Sequence, residues 1–263
     1  MMSPAAALDF SGKIVLVTGA SGGLGAGIAR VFAEAGARLA LHYKDNRGKA
    51  ETLRLSLPSP ERHFTVQADG CDESSVGRCL EEITRIAGGE ALAALINNAG
   101  IYPSGTLLDT DAAAWRAVID ANLTSTHLFT RGAAALMTSG GAIVNIASVE
   151  GMRPVIGHAH YSAAKAAVIQ YTRAAALELA ARGIRVNAVS PGLIQREGLE
   201  RAWPSGYRRY IKAAPLGRTG LPEEIGFACL FLASPAASWI TGANLPVDGG
   251  VSVVSPQDPL TPA

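Results

Sequence analysis

The stretch Thr18-Gly19-Ala20-Ser21-Gly22-Gly23-Leu24-Gly25 follows an apolar run, residues 13–17, and leads into a helix-like run, residues 24–35. Glycine lets the backbone turn sharply and approach a ligand closely, and the N-terminus of a helix attracts an anion. Tight packing alone would also favour glycines, but their place between a strand and an amphipathic helix favours a ligand. The stretch therefore predicts a turn that binds the pyrophosphate of a dinucleotide.

Segments typical of strands and helices alternate from this turn to the end of the chain. The expected strands are residues 13–17, 38–43, 63–68, 91–96, 142–147, 184–189 and 244–247. The expected helices are residues 24–35, 46–57, 73–87, a long one from Asp111 towards Met137, 159–181 and one that starts at Pro222. This alternation predicts an α/β fold, a single-domain Rossmann-type doubly wound parallel sheet of about seven strands with helices on both faces. Such a sheet binds its ligand outside the carboxyl ends of the strands.

No linker or internal repeat divides the 263 residues. We therefore expect one domain over residues 1–263, with its core over about residues 10–250. The segment after Pro191-Gly192, residues 193–212, is expected to be mobile, and the proline-rich tail, residues 256–263, is expected to be flexible.

Composition excludes several classes of partner. The net charge is only +1, and the arginines form no basic stripe that would suit a nucleic acid. No apolar run is long enough to cross a bilayer, and the N-terminus lacks the pattern of a signal peptide. Cys71, Cys79 and Cys229 lack the spacing of metal ligands. We expect a cytoplasmic protein with free thiols, no metal site, and neither a nucleic acid nor a membrane as partner.

Tyr161 and Lys165 stand four residues apart in a segment of helical character, which places both side chains on one helix face. A free tyrosine has a pKa of about 10, and a neighbouring ammonium lowers it. The pair is therefore expected to exchange a proton with a substrate oxygen. Ser148 ends the fifth expected strand, where its hydroxyl would polarise a carbonyl. Chance spacing on an exposed helix and a helix-capping serine are the alternatives.

Thr18, Gly19, Gly23 and Gly25 match the pattern Thr-Gly-x-x-x-Gly-x-Gly, and in this the chain resembles the short-chain dehydrogenase/reductase family. The interval of thirteen residues from Ser148 to Tyr161 is also typical of that family. The resemblance extends from about Phe10 to Gly250, and is closest to the 3-oxoacyl-carrier-protein reductase and sugar dehydrogenase branches. It includes Asn97-Asn98-Ala99-Gly100, Pro191-Gly192, Pro215-Leu216-Gly217-Arg218 and Asp248-Gly249-Gly250.

The resemblance implies a catalytic tetrad of Asn122, Ser148, Tyr161 and Lys165, in which Asn122 holds a water that links the lysine to solvent. It implies a cofactor site made of Thr18, Gly19, Ser21, Gly23, Leu24, Gly25, Tyr43, Lys44, Asn46, Asp69, Asn98, Ala99, Gly100, Tyr161, Lys165, Pro191, Gly192 and Ile194. Asp69 is expected to contact adenine, although capping of the next turn explains it equally well. The chain departs from the family at Arg196, where a threonine that contacts the nicotinamide carboxamide is usual.

The residue that ends the second strand chooses between the two nicotinamide cofactors, because an acid there binds the ribose 2′-hydroxyl and repels a 2′-phosphate. That position is Tyr43, followed by Lys44, Asn46 and Arg47. The sequence therefore favours NADP(H). NAD(H) is the alternative if the strand runs further and turns Asp45 inward.

Together these features predict an oxidoreductase that transfers hydride between NADP(H) and a ketone or secondary alcohol, with a 3-oxoacyl thioester as the first guess for substrate. The alternatives are an NAD-dependent alcohol, sugar or steroid dehydrogenase and a non-catalytic protein that senses NADP. Residues 149–157 and 193–212 are expected to set specificity, and His158 and His160 either touch substrate or are plain loop histidines. The resemblance implies a homotetramer with the helix of Tyr161 and the last strand as interfaces.

Overall fold

The computed structural model describes residues 3–138 and 140–255, and one seven-stranded parallel sheet organises them. Its strands, in chain order, are β1 (Ile14–Val17), β2 (Arg38–Tyr43), β3 (Phe64–Gln67), β4 (Leu92–Asn97), β5 (Ala142–Ile146), β6 (Arg185–Pro191) and β7 (Asn244–Val247). Their order across the sheet is β3-β2-β1-β4-β5-β6-β7, and every neighbouring pair is parallel. The predicted fold class is confirmed. The predicted tail, residues 256–263, lies outside the described residues.

Helices connect the strands and cover both faces of the sheet. They are α1 (Pro4–Ala7), α2 (Gly23–Glu34), α3 (Arg47–Ser56), α4 (Glu73–Ala87), α5 (Ala112–Ile119), α6 (Ser125–Leu136), α7 (Ala159–Leu179), α8 (Leu199–Ala202), α9 (Pro204–Ala213) and α10 (Pro222–Ala233). Asp111 caps α5, because its carboxylate accepts the N–H of Ala114 at 2.8 Å. The long helix expected from Asp111 is interrupted, since a π-helical segment, Asp120–Thr124, joins α5 to α6. The segment expected to be mobile, residues 193–212, contains α8 and most of α9.

Strand β1 shows why the sheet is buried on both faces. All four of its side chains are buried, and successive side chains point to opposite faces of a strand. Val15 and Val17 join the core beneath α2 and α10, whereas Ile14 and Leu16 join the core beneath α4 and α6. A continuous apolar run, rather than an alternating one, is the pattern that a parallel sheet with helices on both faces requires.

The order of the strands reverses between β1 and β4, because β2 and β3 lie on one side of β1 while β4 to β7 lie on the other. In an open α/β sheet this switch point leaves a crevice at the carboxyl ends of the strands, where ligands bind. Beneath that crevice Asn97 Nδ2 donates to Asn145 Oδ1 at 2.9 Å and to Thr130 Oγ1 at 2.9 Å, so buried amides hold the sheet centre together.

Candidate active site

The glycine turn at the end of β1 depends on its glycines for space. Gly19 has a φ of +62°, a left-handed conformation that side chains rarely adopt. A Cβ atom on Gly25 would lie 2.4 Å from the carbonyl oxygen of Gly19 and 2.7 Å from Asn98 Nδ2, so α2 packs directly against the turn. Helix α2 begins at Gly23 and has a glycine, Gly22, as its N-cap, with no side chain bonded to its first N–H groups. Those groups are free to bind an anion.

Thr18 and Asn98 tie this turn to the end of β4. Thr18 Oγ1 accepts the N–H of Asn98 at 2.9 Å and that of Ala99 at 3.0 Å. In return Asn98 Nδ2 donates to the carbonyl oxygens of Thr18 and Gly19 at 2.9 and 3.2 Å. Both residues predicted to bind cofactor therefore shape the backbone that would contact it.

His42 is a residue of this site that the sequence reasoning missed. Its ring is buried, Nδ1 accepts the N–H of Gly19 at 3.1 Å, and Nε2 lies 3.1 Å from the carbonyl oxygen of Ala68. The two contacts fit a neutral ring with its proton on Nε2. Burial lowers the pKa of His42 to about 4. The signal in the sequence was a polar residue inside the apolar strand Leu39-Ala40-Leu41-His42-Tyr43.

The far end of the cofactor crevice follows β2, which ends at Tyr43 as expected. Lys44 Nζ lies 2.9 Å from Asp69 Oδ2, and both side chains are half exposed. The N–H of Cys71 and the Lys44 ammonium lower the pKa of Asp69. Asn46 Oδ1 accepts the N–H of Lys49 at 2.9 Å and so caps α3. Asp45 is exposed beyond the end of the strand.

Asn122 lies in the π-helical segment, where it is buried. Its Nδ2 donates to the carbonyl oxygens of Val118 and Ile101 at 2.9 and 3.0 Å. Its Oδ1 makes no hydrogen bond to a described residue. A Cβ atom on Gly100 would lie 2.4 Å from that Oδ1 and 3.8 Å from Lys165 Nζ, so the three residues converge. An acceptor aimed at a buried ammonium fits the water-holding role that the resemblance implies.

Lys165 and Tyr161 share one face of α7, as their spacing predicts, and Lys165 Nζ lies 5.6 Å from the centre of the Tyr161 ring. The ammonium donates to the carbonyl oxygen of Ile146 at 2.8 Å, and burial lowers the pKa of Lys165 to about 8. The expected lowering of the tyrosine pKa is wrong for this structure. Burial raises the pKa of Tyr161 to about 12, and a hydrogen bond with Ser148 opposes this rise only in part.

Ser148, the last residue of the predicted tetrad, follows β5. Its Oγ accepts the N–H of Glu150 at 3.1 Å, and it caps a short 3-10 turn, Val149–Gly151. A Cβ atom on Gly151 would lie 2.8 to 2.9 Å from backbone atoms of Lys165 and Ala166, so this turn packs against α7. The close packing fixes Ser148 relative to Tyr161.

A polar cluster that the sequence reasoning did not assemble lies beside Tyr161. The Tyr102 hydroxyl donates to Glu150 Oε1 at 2.6 Å, and His158 Nδ1 lies 3.1 Å from Glu150 Oε2. Ser104 Oγ lies 3.1 Å from His158 Nε2. The Tyr102 and Tyr161 rings meet edge to face with centres 4.6 Å apart. The sequence left two interpretations of His158 open, and the structure places it in the wall of the site.

The remaining predicted residues border the crevice on its other side. Pro191 ends β6, and the N–H of Gly192 donates to the carbonyl oxygen of Val247 at 3.0 Å. Ile194 forms an isolated parallel bridge with Gly220, which leaves its own N–H and carbonyl on the side away from Gly220. Arg196, where the chain departs from the family pattern, is exposed. Burial raises the pKa of Tyr102, and the charge of Arg196 opposes that rise in part.

Comparison with known proteins identifies the family to which the chain belongs. A family model described as enoyl-(acyl carrier protein) reductase matches residues 19–252. The chain is 40% identical over 249 residues to the cis-4-hydroxycyclohexanecarboxylate dehydrogenase of Sinomonas cyclohexanicum, covering 93% of this chain and 98% of that protein. It is 38% identical over 243 residues to a 3-oxoacyl-(acyl-carrier-protein) reductase of Synechocystis sp., covering 91% and 96%.

A solved structure agrees with these relatives. A short-chain dehydrogenase/reductase from Brucella melitensis, titled a glucose/ribitol dehydrogenase, superimposes with a TM-score of 0.87 at 33% identity, covering 92% of this chain and 98% of that one. The chain belongs to the short-chain dehydrogenase/reductase family. It is therefore an NAD(P)-dependent oxidoreductase that acts on alcohols and ketones.

The residues of this short-chain dehydrogenase/reductase fit a dinucleotide. The uncapped start of α2 faces the crevice, and the left-handed Gly19 keeps the turn clear of side chains. Ala99 and Gly100 border the same crevice at the end of β4, where neither carries a bulky side chain. The Lys165 ammonium and the Tyr161 hydroxyl lie further along, where the reacting end of the cofactor would be expected.

Within the described residues, 3–138 and 140–255, no group of three or more His, Cys, Asp or Glu side chains is arranged to hold a metal ion. In the same residues no helix combines the length and the apolar character that a membrane crossing needs.

Proposed function

We propose that this short-chain dehydrogenase/reductase interconverts a ketone and a secondary alcohol with NADP(H), using Tyr161 as the acid–base group. The observation that carries this proposal is the placement of Tyr161 and the buried Lys165 on one face of α7, with the turn that Ser148 caps packed against that helix. The nicotinamide, when bound, supplies the hydride to the ketone carbon or accepts it from the alcohol.

The chain's own residues manage the proton. Because burial raises the pKa of Tyr161 to about 12, its phenol keeps its proton at neutral pH and is set to donate it to a carbonyl oxygen. The Ser148 hydroxyl orients that oxygen. Lys165 has a pKa of about 8 and is therefore mostly an ammonium at neutrality. With Asn122 Oδ1 beside it, Lys165 forms the route by which a proton returns from solvent.

The end of β2 supports NADP(H) over NAD(H). The strand ends at Tyr43, so no acid stands at its last position, and Asp45 lies two residues beyond it. Lys44 directly follows the strand and supplies a cation there, although it pairs with Asp69. An exposed ion pair of this kind contributes only about 0–1 kcal/mol, so a 2′-phosphate can recruit Lys44 at small cost. An NAD-dependent alcohol, sugar or steroid dehydrogenase is the runner-up.

A 3-oxoacyl thioester is a second candidate substrate. Arg201, Arg208 and Arg209 are exposed on α8 and α9, which follow the crevice residues Gly192 and Ile194. Cations on this surface suit the phosphate of a phosphopantetheine carrier. A non-catalytic protein that senses NADP would not need Tyr161 on one helix face with a buried Lys165, and we place that alternative last.

We further propose a cytoplasmic homotetramer in which one domain binds cofactor and carries out the reaction. The described cysteines are free, which suits a reducing compartment. Leu177 on α7 is 81% exposed and Trp239 before β7 is 97% exposed. Large apolar side chains so exposed suit contacts with further copies of the chain.

The test is turnover of a panel of ketones with NADPH and with NADH, by the wild type and by Tyr161→Phe. We expect NADPH to be preferred and Tyr161→Phe to lower kcat by about a thousandfold, since general acid catalysis supplies 10²- to 10⁴-fold. The Kd for NADPH, measured by calorimetry, should change by less than about twofold because the phenyl ring remains. Preference for NADH would select the runner-up. Equal loss of turnover and NADPH binding would contradict the assigned role of Tyr161.

A further inference from the structure

Three side chains from separate loops meet on one wall of the site. Tyr102 follows β4, Glu150 lies in the 3-10 turn after β5, and His158 directly precedes α7. The Tyr102 hydroxyl lies 2.6 Å from Glu150 Oε1 and 2.7 Å from His158 Nδ1. The Glu150 and His158 side chains are only 12% and 11% exposed. We call Tyr102, Glu150 and His158 the carboxylate cluster.

Because a carboxylate only accepts hydrogen bonds, Tyr102 and His158 are the donors to Glu150 in the carboxylate cluster. With a neutral imidazole, the Tyr102 hydroxyl donates to Glu150 Oε1, and the Nδ1–H of His158 is shared between Glu150 Oε2 and the Tyr102 oxygen. The Ser104 hydroxyl then donates to His158 Nε2. A carboxylate has about four acceptor positions, and these two donors use only two of them. Glu150 is therefore held in place while it can still accept further hydrogen bonds.

The carboxylate cluster adjoins the reacting groups. The backbone N–H of Glu150 donates to Ser148 Oγ at 3.1 Å, and the Tyr102 ring contacts the edge of the Tyr161 ring. The charge of Glu150 also contributes to the raised pKa of Tyr161, which places the carboxylate within electrostatic range of the phenol. A substrate that binds to Ser148 and Tyr161 therefore lies next to the turn that carries Glu150.

We propose that Glu150, held by Tyr102 and His158, is the specificity-determining residue of this site and accepts a hydrogen bond from a second hydroxyl of an uncharged, hydroxylated substrate. The substrate class is a vicinal diol, a polyol or the matching hydroxyketone. A poorly solvated carboxylate that meets no donor is costly, and one that meets a substrate carboxylate is repelled. A plain acyl chain next to the reacting carbonyl offers Glu150 no donor. This inference rests on the proposed function.

The experiment compares kcat/KM for cyclohexane-1,2-diol with that for cyclohexanol, with NADP⁺ in the wild type, Glu150→Gln and Glu61→Gln. We expect the wild type to prefer the diol by about tenfold or more, as one hydrogen bond to a charged group would give. Glu150→Gln should lower that ratio by about tenfold, mainly through the KM for the diol. Glu61 is an exposed glutamate on the turn before β3, and its change should leave the ratio within about twofold of the wild type.

A second variant distinguishes a loss of specificity from a misfolded Glu150→Gln protein. Tyr102 is 52% exposed, so Tyr102→Phe should fold normally while removing one of the two donors that hold Glu150. We expect it to lower the diol preference about threefold. An unchanged preference in both variants would overturn the inference. Faster turnover of acetoacetyl-CoA than of 2-hydroxycyclohexanone would also overturn it.

The two proposals fail in different ways. A wild-type protein that is active on cyclohexanol but shows no preference for the diol refutes the role of Glu150 and leaves the proposed function standing. A wild-type protein that turns over no alcohol or ketone with either cofactor refutes the proposed function, and the inference with it.

Discussion

The two sides of the crevice are formed by different kinds of chemical group. On the cofactor side, the turn after β1 is shaped by backbone contacts and by the short polar side chains of Thr18 and Asn98. On the substrate side, the wall is made of long side chains from separate loops, among them Tyr102, Glu150 and His158. A pyrophosphate can be bound by main-chain groups, whereas one substrate is told from another by side chains. The cofactor site built from main-chain groups is therefore marked by a sequence motif, whereas the side-chain wall on the substrate side is not.

The largest effect that should separate the two sides comes from Gly25→Ala. The added Cβ would meet the carbonyl oxygen of Gly19 at 2.4 Å and Asn98 Nδ2 at 2.7 Å, so the turn must shift. Because an anion site depends on aligned N–H groups, we expect affinity for NADPH to fall more than a hundredfold. Calorimetric titration measures this, with circular dichroism to show that the fold is retained.

Gly27→Ala is the matched control in the same helix. Its added Cβ would lie 2.2 Å from Pro222 Cβ, on the side of α2 that packs on α10. Overpacking of this kind costs about 1–3 kcal/mol of stability. We expect a lower midpoint of urea unfolding but an NADPH affinity within about threefold of the wild type. If both variants lost NADPH binding equally while folded, the separate role of the turn would be refuted.

The second prediction concerns the pH dependence of the cofactor side. The pKa of His42 is lowered from 6.5 to about 4 in the folded protein. As the pH falls below 6.5, the unfolded chain therefore binds a proton that the folded protein does not bind until about pH 4, and stability is lost over that window. We expect this residue to reduce the free energy of unfolding by about 2 kcal/mol between pH 7 and pH 5.

His42→Gln checks that expectation, because an amide oxygen keeps an acceptor for the N–H of Gly19. Urea unfolding of both proteins at pH 7 and pH 5 should show that the variant loses less stability on acidification. An equal loss in the two proteins would assign the pH dependence to other groups.

The smallest expected effect lies at Tyr210, on α9 within the segment that is expected to set specificity. Its hydroxyl accepts the N–H of Leu193 at 2.9 Å and donates to the carbonyl oxygen of Asp248 at 3.2 Å, so it ties α9 to the end of β7. Tyr210→Phe removes both bonds, at about 1 kcal/mol each. We expect KM for the ketone to rise about three- to tenfold while the Kd for NADPH stays within about twofold.

Tyr207→Phe is the control for that measurement. Tyr207 lies three residues earlier on α9, and its hydroxyl bonds to no described residue. It should change KM by less than about twofold. A larger rise in the Kd for NADPH than in KM for Tyr210→Phe would assign Tyr210 to the cofactor side instead.

The parts of the molecule that the sequence predicted are those governed by local rules. The seven strands and their parallel order follow from alternating apolar runs and helices, and the shared face of Tyr161 and Lys165 follows from helical spacing. The carboxylate cluster follows no such rule, since Tyr102 is 48 residues from Glu150 and 56 from His158. The raised pKa of Tyr161 was also out of reach, because burial depends on the packing of the whole domain.

The direction of the Asn122 side chain depends on the number of residues in the π-helical segment, Asp120–Thr124. Such a segment is an α-helix with one extra residue in a turn. Deleting one residue there, other than Asn122, would close the widened turn into a regular helical turn and change the direction of the Asn122 side chain. Asn122 would then no longer face Lys165, although no residue of the tetrad had been changed. A deletion of this size is harmless in many surface loops, but here it would interrupt the proposed proton route.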